Sequence, residues 1–188
     1  HSMNLFIALI IVVLVLLGSG GMLASLYNRL VMLRHNVDKS FANIDVLLKQ
    51  RVDELPELVN VIKASAAYEQ QTLQQLTELR VSWLNSSQHD EKVALANKMN
   101  VALTRLFATA ESYPQLRANQ SFLRLQQRIS ELEEQIADRR EFFNESVTLY
   151  NVGINEFPNF LLAKLMGYQP HPLLHITAEE THYAGITL

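Results

Sequence analysis

His171 and His175 stand four residues apart in His171-Pro-Leu-Leu-His175, the spacing at which two imidazoles on one helix face can hold zinc. The pattern lacks the context that zinc chemistry needs. His171 precedes a proline, which biases it away from helix, and no carboxylate lies between the two histidines to act as a general base. The spacing reads as incidental in an extended tail, and no metal site is expected. The sequence has no cysteine, which removes disulfides, thiolate nucleophiles, iron–sulfur clusters and cysteine zinc sites together. Glu131, Glu133, Glu134, Asp138, Arg139, Arg140 and Glu141 form a dense charged run of the kind that makes a solvated helix face with i, i+4 pairs. His89 falls in the polar stretch Asn85-Ser-Ser-Gln-His-Asp and reads as solvated. No glycine-rich phosphate loop and no Gly-x-Ser-x-Gly elbow occurs. Neither an enzyme nor a cofactor is expected. A formal charge of −3 over 188 residues gives no basic field for nucleic acid.

The elements that would carry any function are more legible than the chemistry. His1 and Ser2 before Met3 read as an expression-tag scar. Residues 5–26 carry no charge and are dominated by Leu, Ile and Val. A helix crossing a bilayer needs about 20 such residues, and only a continuous helix or closed barrel satisfies its backbone in lipid. A cleaved signal peptide is the rival. It is disfavoured because no Lys or Arg precedes Leu5 and the apolar run is longer than a signal core. Arg29, Arg34 and Lys39 follow the run closely, and cations on that side place the following domain in the cytoplasm. The expected location is a bacterial inner membrane, with a single pass and the N-terminus outside.

Beyond Asn28 the apolar residues follow helical spacing. Leu30, Leu33, Val37, Phe41, Ile44 and Leu48 form one stripe, and no Gly or Pro separates it from Leu26. The membrane helix should therefore run on to about Arg51. Pro56 should break it, with Asp53 capping a second helix that uses Leu55, Val59, Ile62, Ala66, Leu73, Leu76 and Trp83. A third helix takes Val93 to Ala110. The fourth and longest uses Phe122, Leu125, Ile129, Leu132, Ile136, Phe143, Val147, Tyr150 and Ile154, and a short amphipathic piece spans residues 158–166. Strand signals are absent. The expected fold is all-α, an N-terminal transmembrane helix continuing into an antiparallel bundle of about four long helices. The expected division is residues 1–3 as scar and start, 4–27 as membrane helix, 28–167 as bundle, and 168–188 as an extended or disordered tail.

Two features point to packing. Glu69 and Arg139 fall on apolar stripes. Long charged side chains of this kind commonly reach out to water, and the sharper reading is a buried Glu69–Arg139 ion pair that fixes helix register. In the membrane helix, Gly20 with Ala24 and Gly21 with Ser25 repeat small residues four apart, which lets helix backbones approach closely in lipid. That face is the expected contact of a homo-oligomer.

Several motifs occur in an order that resembles the LemA family. Leu30-Val-Met-Leu-Arg-His-Asn-Val-Asp-Lys-Ser-Phe-Ala-Asn-Ile-Asp-Val-Leu-Leu-Lys-Gln-Arg is similar to its opening helix, and Asp53-Glu-Leu-Pro-Glu-Leu-Val to its Pro-x-Leu-Val turn. Ser112-Tyr-Pro-Gln-Leu-Arg-Ala-Asn, Phe122-Leu-Arg-Leu-Gln, Ala137-Asp-Arg-Arg-Glu-Phe-Phe-Asn and Leu165-Met-Gly-Tyr continue the resemblance. It runs from the membrane helix to about Pro172; the stretch near His89 and the tail after His175 depart from it. The resemblance implies a membrane-anchored bundle with its N-terminus outside and no settled activity, with a relative involved in forming magnetosome membranes. The functional expectation is a membrane-anchored, self-associating scaffold or interaction protein that works through lipid, its own copies and a membrane-protein partner. The alternative is a regulatory adaptor for another membrane protein, such as a protease or envelope-stress component.

Overall fold

The computed structural model describes residues 1–65 and 70–175, of which the side chain of Ser65 is left undescribed. The described residues form helices joined by short connections, with no strand among them. Helix α1 spans Ser2–Ser65. From Ser2 to Arg29 it is solvent-exposed apart from a half-buried Leu26, and from Leu30 onward one face is buried. Every member of the stripe Leu30, Leu33, Val37, Phe41, Ile44 and Leu48 lies in the core. The continuity expected between the apolar segment and the bundle is present.

The expected break at Pro56 is not. Proline removes one N–H and crowds the preceding turn, yet α1 passes through it for more than two further turns. The reason lies in the burial on both sides. Val52, Leu55, Leu58, Val59 and Ile62 extend the same buried face across the proline, and packing of that face outweighs one missing helical hydrogen bond. The second helix is correspondingly shorter than expected: α2 spans Gln70–Asn85 and buries Leu73, Leu76, Leu79 and Trp83. A three-residue connection turns the chain into α3, His89–Ala110, which places Asp90 and Glu91 in its first turn, where the helix dipole favours negative charge. His89 is not simply solvated. Its ring stacks on Phe41 at 4.1 Å between centroids.

A single turn, α4 (Pro114–Arg117), starts on its proline. It leads to α5, Gln120–Gly153, whose N-cap Asn119 accepts a 3.0 Å bond from the Phe122 amide. Helix α5 lies antiparallel to α1, as paired contacts along its length show. Arg128 makes a forked contact with Glu54 at 3.0–3.1 Å, Arg139 reaches the Asn43 carbonyl at 2.7 Å, and Glu156, just past the helix, lies 3.6 Å from Arg29. Gly153 packs closely near that end, where a Cβ would stand 2.5 Å from a Leu33 methyl and press that side chain aside. Past a cis Phe157–Pro158 bond comes α6, Asn159–Leu165. Gly167, at φ +74°, then reverses the chain in a conformation that only glycine adopts readily.

Candidate functional site

Three features of this architecture are candidates for function: the exposed half of α1, a buried arginine, and a peptide strap. Gly20, Gly21, Ala24 and Ser25 are all exposed on α1. A Cβ added to Gly18, Gly20 or Gly21 would meet nothing within 4 Å. The small-residue face is thus open on the isolated chain. Residues 2–64 include a helix long and apolar enough to cross a membrane, with none of its most apolar stretch buried in the bundle.

Arg139 is exposed rather than buried, so its guanidinium reaches out to the edge of α1 as long charged side chains commonly do. Glu69, its expected partner, lies outside the described residues. The arginine that does enter the core is Arg51, 1% exposed. It sits on the α1 stripe between Leu48 and Leu55. Its Nη1 donates to Asn100 Oδ1 and its Nη2 to the Ala96 carbonyl at 3.3 Å, both on α3. Burial lowers its pKa to about 10, opposed by the nearby Glu133 carboxylate of α5. Arg51 therefore remains charged at neutral pH. Burial likewise raises Glu133 above the ordinary carboxylate value, with Arg51 pulling it back. A buried cation thus ties α1 to α3, with the Glu133 carboxylate of α5 nearby.

Asn100 passes this tie on to the C-terminal segment. Its amide nitrogen donates to the His175 carbonyl. Residues 168–175, expected to be extended or disordered, form an extended strap across α3 and α5 that is held by asparagines reading its backbone. Asn151 donates to the His171 carbonyl and accepts from the His171 amide, both at 2.9 Å. One heptad earlier, Asn144 does the same with Leu174 at 2.8 and 2.9 Å. From α3, Asn97 donates to the Leu173 carbonyl at 2.9 Å and accepts from the His175 amide at 2.7 Å. Side-chain amides here supply the pairing that a neighbouring strand would supply in a sheet. Leu174 enters the core, 1% exposed. His171 Nδ1 lies 2.5 Å from Asp90 Oδ1, and its ring stacks on Tyr150 at 4.6 Å. The Tyr150 hydroxyl donates to the Gln169 carbonyl at 2.8 Å. The two histidines of the His171-Pro-Leu-Leu-His175 motif thus serve a strap. Among the described residues no group of three or more metal-ligating side chains converges.

Sequence reasoning missed Arg51 and the asparagine clamp, although both left a trace. Arg51 follows Leu48 by three and precedes Leu55 by four, and Asn144 and Asn151 each adjoin a core aromatic, Phe143 and Tyr150.

Comparison with known proteins places the chain in context. Magnetosome protein MamQ of Magnetospirillum gryphiswaldense is 34% identical over 74 residues, which is 39% of this chain and 27% of that protein. Magnetosome protein MamQ 2 of Paramagnetospirillum magneticum is 34% identical over 68 residues, 36% of this chain and 25% of that protein. The chain thus matches about a quarter of the length of these relatives. The profile of a family whose members are membrane-associated matches residues 40–186, which takes in most of the bundle and the strap. On that match the chain belongs to the LemA family.

Proposed function

We propose that the chain is a single-pass membrane protein whose helical bundle acts, without catalysis, as a self-associating scaffold for membrane or envelope components. The observation that carries this reading is the unbroken α1, exposed and apolar in its first half and built into the bundle core in its second. A helix of this kind joins the membrane to the domain without a flexible linker. Contact between neighbouring membrane helices through Gly20, Gly21, Ala24 and Ser25 would bring their bundles together as well. The matched relatives are named magnetosome proteins, which favours work on membrane organisation. Arg29, Arg34 and Lys39 favour the cytoplasmic side for the bundle.

Electron microscopy of the particle purified in mild detergent tests the proposal. A large homomeric particle is the expected result. A small particle that carries one stoichiometric partner would replace the scaffold reading with that of a regulatory adaptor. For topology, fusions after Leu188 should give a fluorescent reporter and an inactive alkaline phosphatase. The reverse result would place the bundle outside.

A further inference from the structure

The end of the bundle from which the apolar half of α1 emerges carries a second apolar surface. Helix α6 turns only Asn159 and Ala163 into the core. On its outer side stand Leu161, 59% exposed, and Leu165, 84%, with Phe160 at 38%, and in the turn before it Phe157 is 81% exposed. Leu161 and Leu165 stand one turn apart on α6 and so share a face, and the ring of Phe157, in the turn before the helix, lies 6.2 Å from that of Phe160. Isolated exposed apolar residues are ordinary, but a cluster of this size marks a surface that is covered in use.

The position of the cluster identifies what covers it. Helix α5 descends along α1 so that Gly153 meets Leu33 and Glu156 meets Arg29. Phe157 and α6 follow directly, at the level of α1 where the uncharged segment ends: Arg29 lies less than one turn beyond Leu26. Helix α6 also packs against α1. The strap then leaves in the opposite direction, through Tyr150 and Asn144 toward Asn97 and Asn100. The exposed apolar residues of this end therefore lie near the level where the uncharged segment of α1 ends, with the exposed cations Arg29 and Lys164 beside them. Apolar side chains bordered by Lys and Arg at this depth are the composition of a segment lying in the headgroup region.

We infer that α6 and the turn before it form an interfacial foot, whose exposed Phe157, Leu161 and Leu165 rest in the bilayer surface beside the point where α1 enters it. The inference rests on the proposal that α1 spans the membrane. A foot beside a spanning helix gives the bundle a second point of attachment and so fixes its orientation over the bilayer, which one helix alone leaves free to rotate about its axis.

The absence of cysteine makes the test direct. The full chain is reconstituted into vesicles of phosphatidylcholine and phosphatidylglycerol with a fluorophore on one introduced cysteine: L165C, L161C, L14C in the apolar segment, or S130C on the solvent face of α5. Brominated lipid is the quencher. All four positions are exposed on the chain, so labelling should leave the fold intact, which circular dichroism verifies. The expected result is quenching severalfold stronger at Leu165 and Leu161 than at Ser130, with Leu14 quenched most. Quenching at Leu14 with Leu165 as unaffected as Ser130 overturns the foot and leaves the spanning helix standing. No quenching at Leu14 overturns the spanning helix, and the foot with it. Strong energy transfer between Leu165 labels on separate copies, without lipid quenching, assigns the cluster to a second copy of the chain and also overturns the foot.

Discussion

Replacing Asn144 with Ala should loosen the strap without unfolding the bundle. The side chain makes two hydrogen bonds to Leu174, at 2.8 and 2.9 Å. At a net value of about 1 kcal/mol for each bond, its removal costs roughly 2 kcal/mol. A tenfold change in an equilibrium corresponds to about 1.4 kcal/mol, so the docked strap should lose about thirtyfold in population relative to the open state. Leu174 adds an apolar anchor worth about 1.5–3 kcal/mol at full burial. The remaining asparagines and this anchor keep the strap mostly docked, and the change shows as faster local opening rather than as a lower melting temperature. Hydrogen exchange on the full chain in detergent reads it directly. The Leu174 and His175 amides should exchange about thirtyfold faster in N144A, while amides around Ile136 keep their protection. Asn155→Ala serves as the control, because that side chain caps only its own helix, at Asn151 O. Unchanged exchange at Leu174 in N144A would refute the clamp as the cause of strap docking. Equal acceleration at Leu174 and Ile136 would refute the separation of strap from bundle.

Arg51→Ala should destabilise the bundle by about 3–5 kcal/mol, the usual result of breaking a buried charged network, measured by thermal unfolding in detergent; a cost below about 1 kcal/mol would show the network to be dispensable. Burial raises the Glu133 pKa above its ordinary 4.5, so the folded chain holds a proton where the unfolded chain has released it. Stability should then fall as pH rises through the range just above 4.5 and be fully present below it; Glu133→Gln should flatten that slope in unfolding curves taken across the range. Ile129→Ala, at a fully buried position, should cost about 2–5 kcal/mol, whereas charge reversal at exposed Glu134 should be nearly silent in the same unfolding assay. Replacing Gly20 and Gly21 with Leu should reduce the detergent particle in size while circular dichroism stays unchanged, and an unaltered particle would move the contact elsewhere.

The periodic features of the fold were legible because they are local. The stripe from Leu30 to Leu48 needs no knowledge of its partner to be read as buried, and the seam of α5 from Phe122 to Tyr150 is equally plain. Pro56 misled because a proline is a local signal, whereas the burial that carries α1 through it comes from packing across the bundle. The clamp was hidden for the same reason at longer range. Asn97 bonds a residue 78 positions away, and a polar side chain beside an apolar stripe reads as solvated until its partner is known. Arg51 was open to inference from its place on the stripe. Its partner Asn100 lies at the edge of the α3 stripe between Met99 and Leu103, and spacing alone pairs neither with the other. Arg139 shows the converse: a charged residue placed on the seam by spacing is carried out of the core by the reach of its own side chain.

The strap also has a consequence for the order in which the molecule is made. Its binding residues are divided between α3 and α5, and the strap itself is translated after every described helix. It docks in full only when those two helices stand side by side, because neither Asn97 and Asn100 alone nor Asn144 and Asn151 alone reaches all of its backbone groups. Much of the docking is written in main-chain hydrogen bonds and so is indifferent to the strap's own side chains, apart from Leu174 in the core, His171 against Asp90 and Tyr150, and Tyr168 against Arg34.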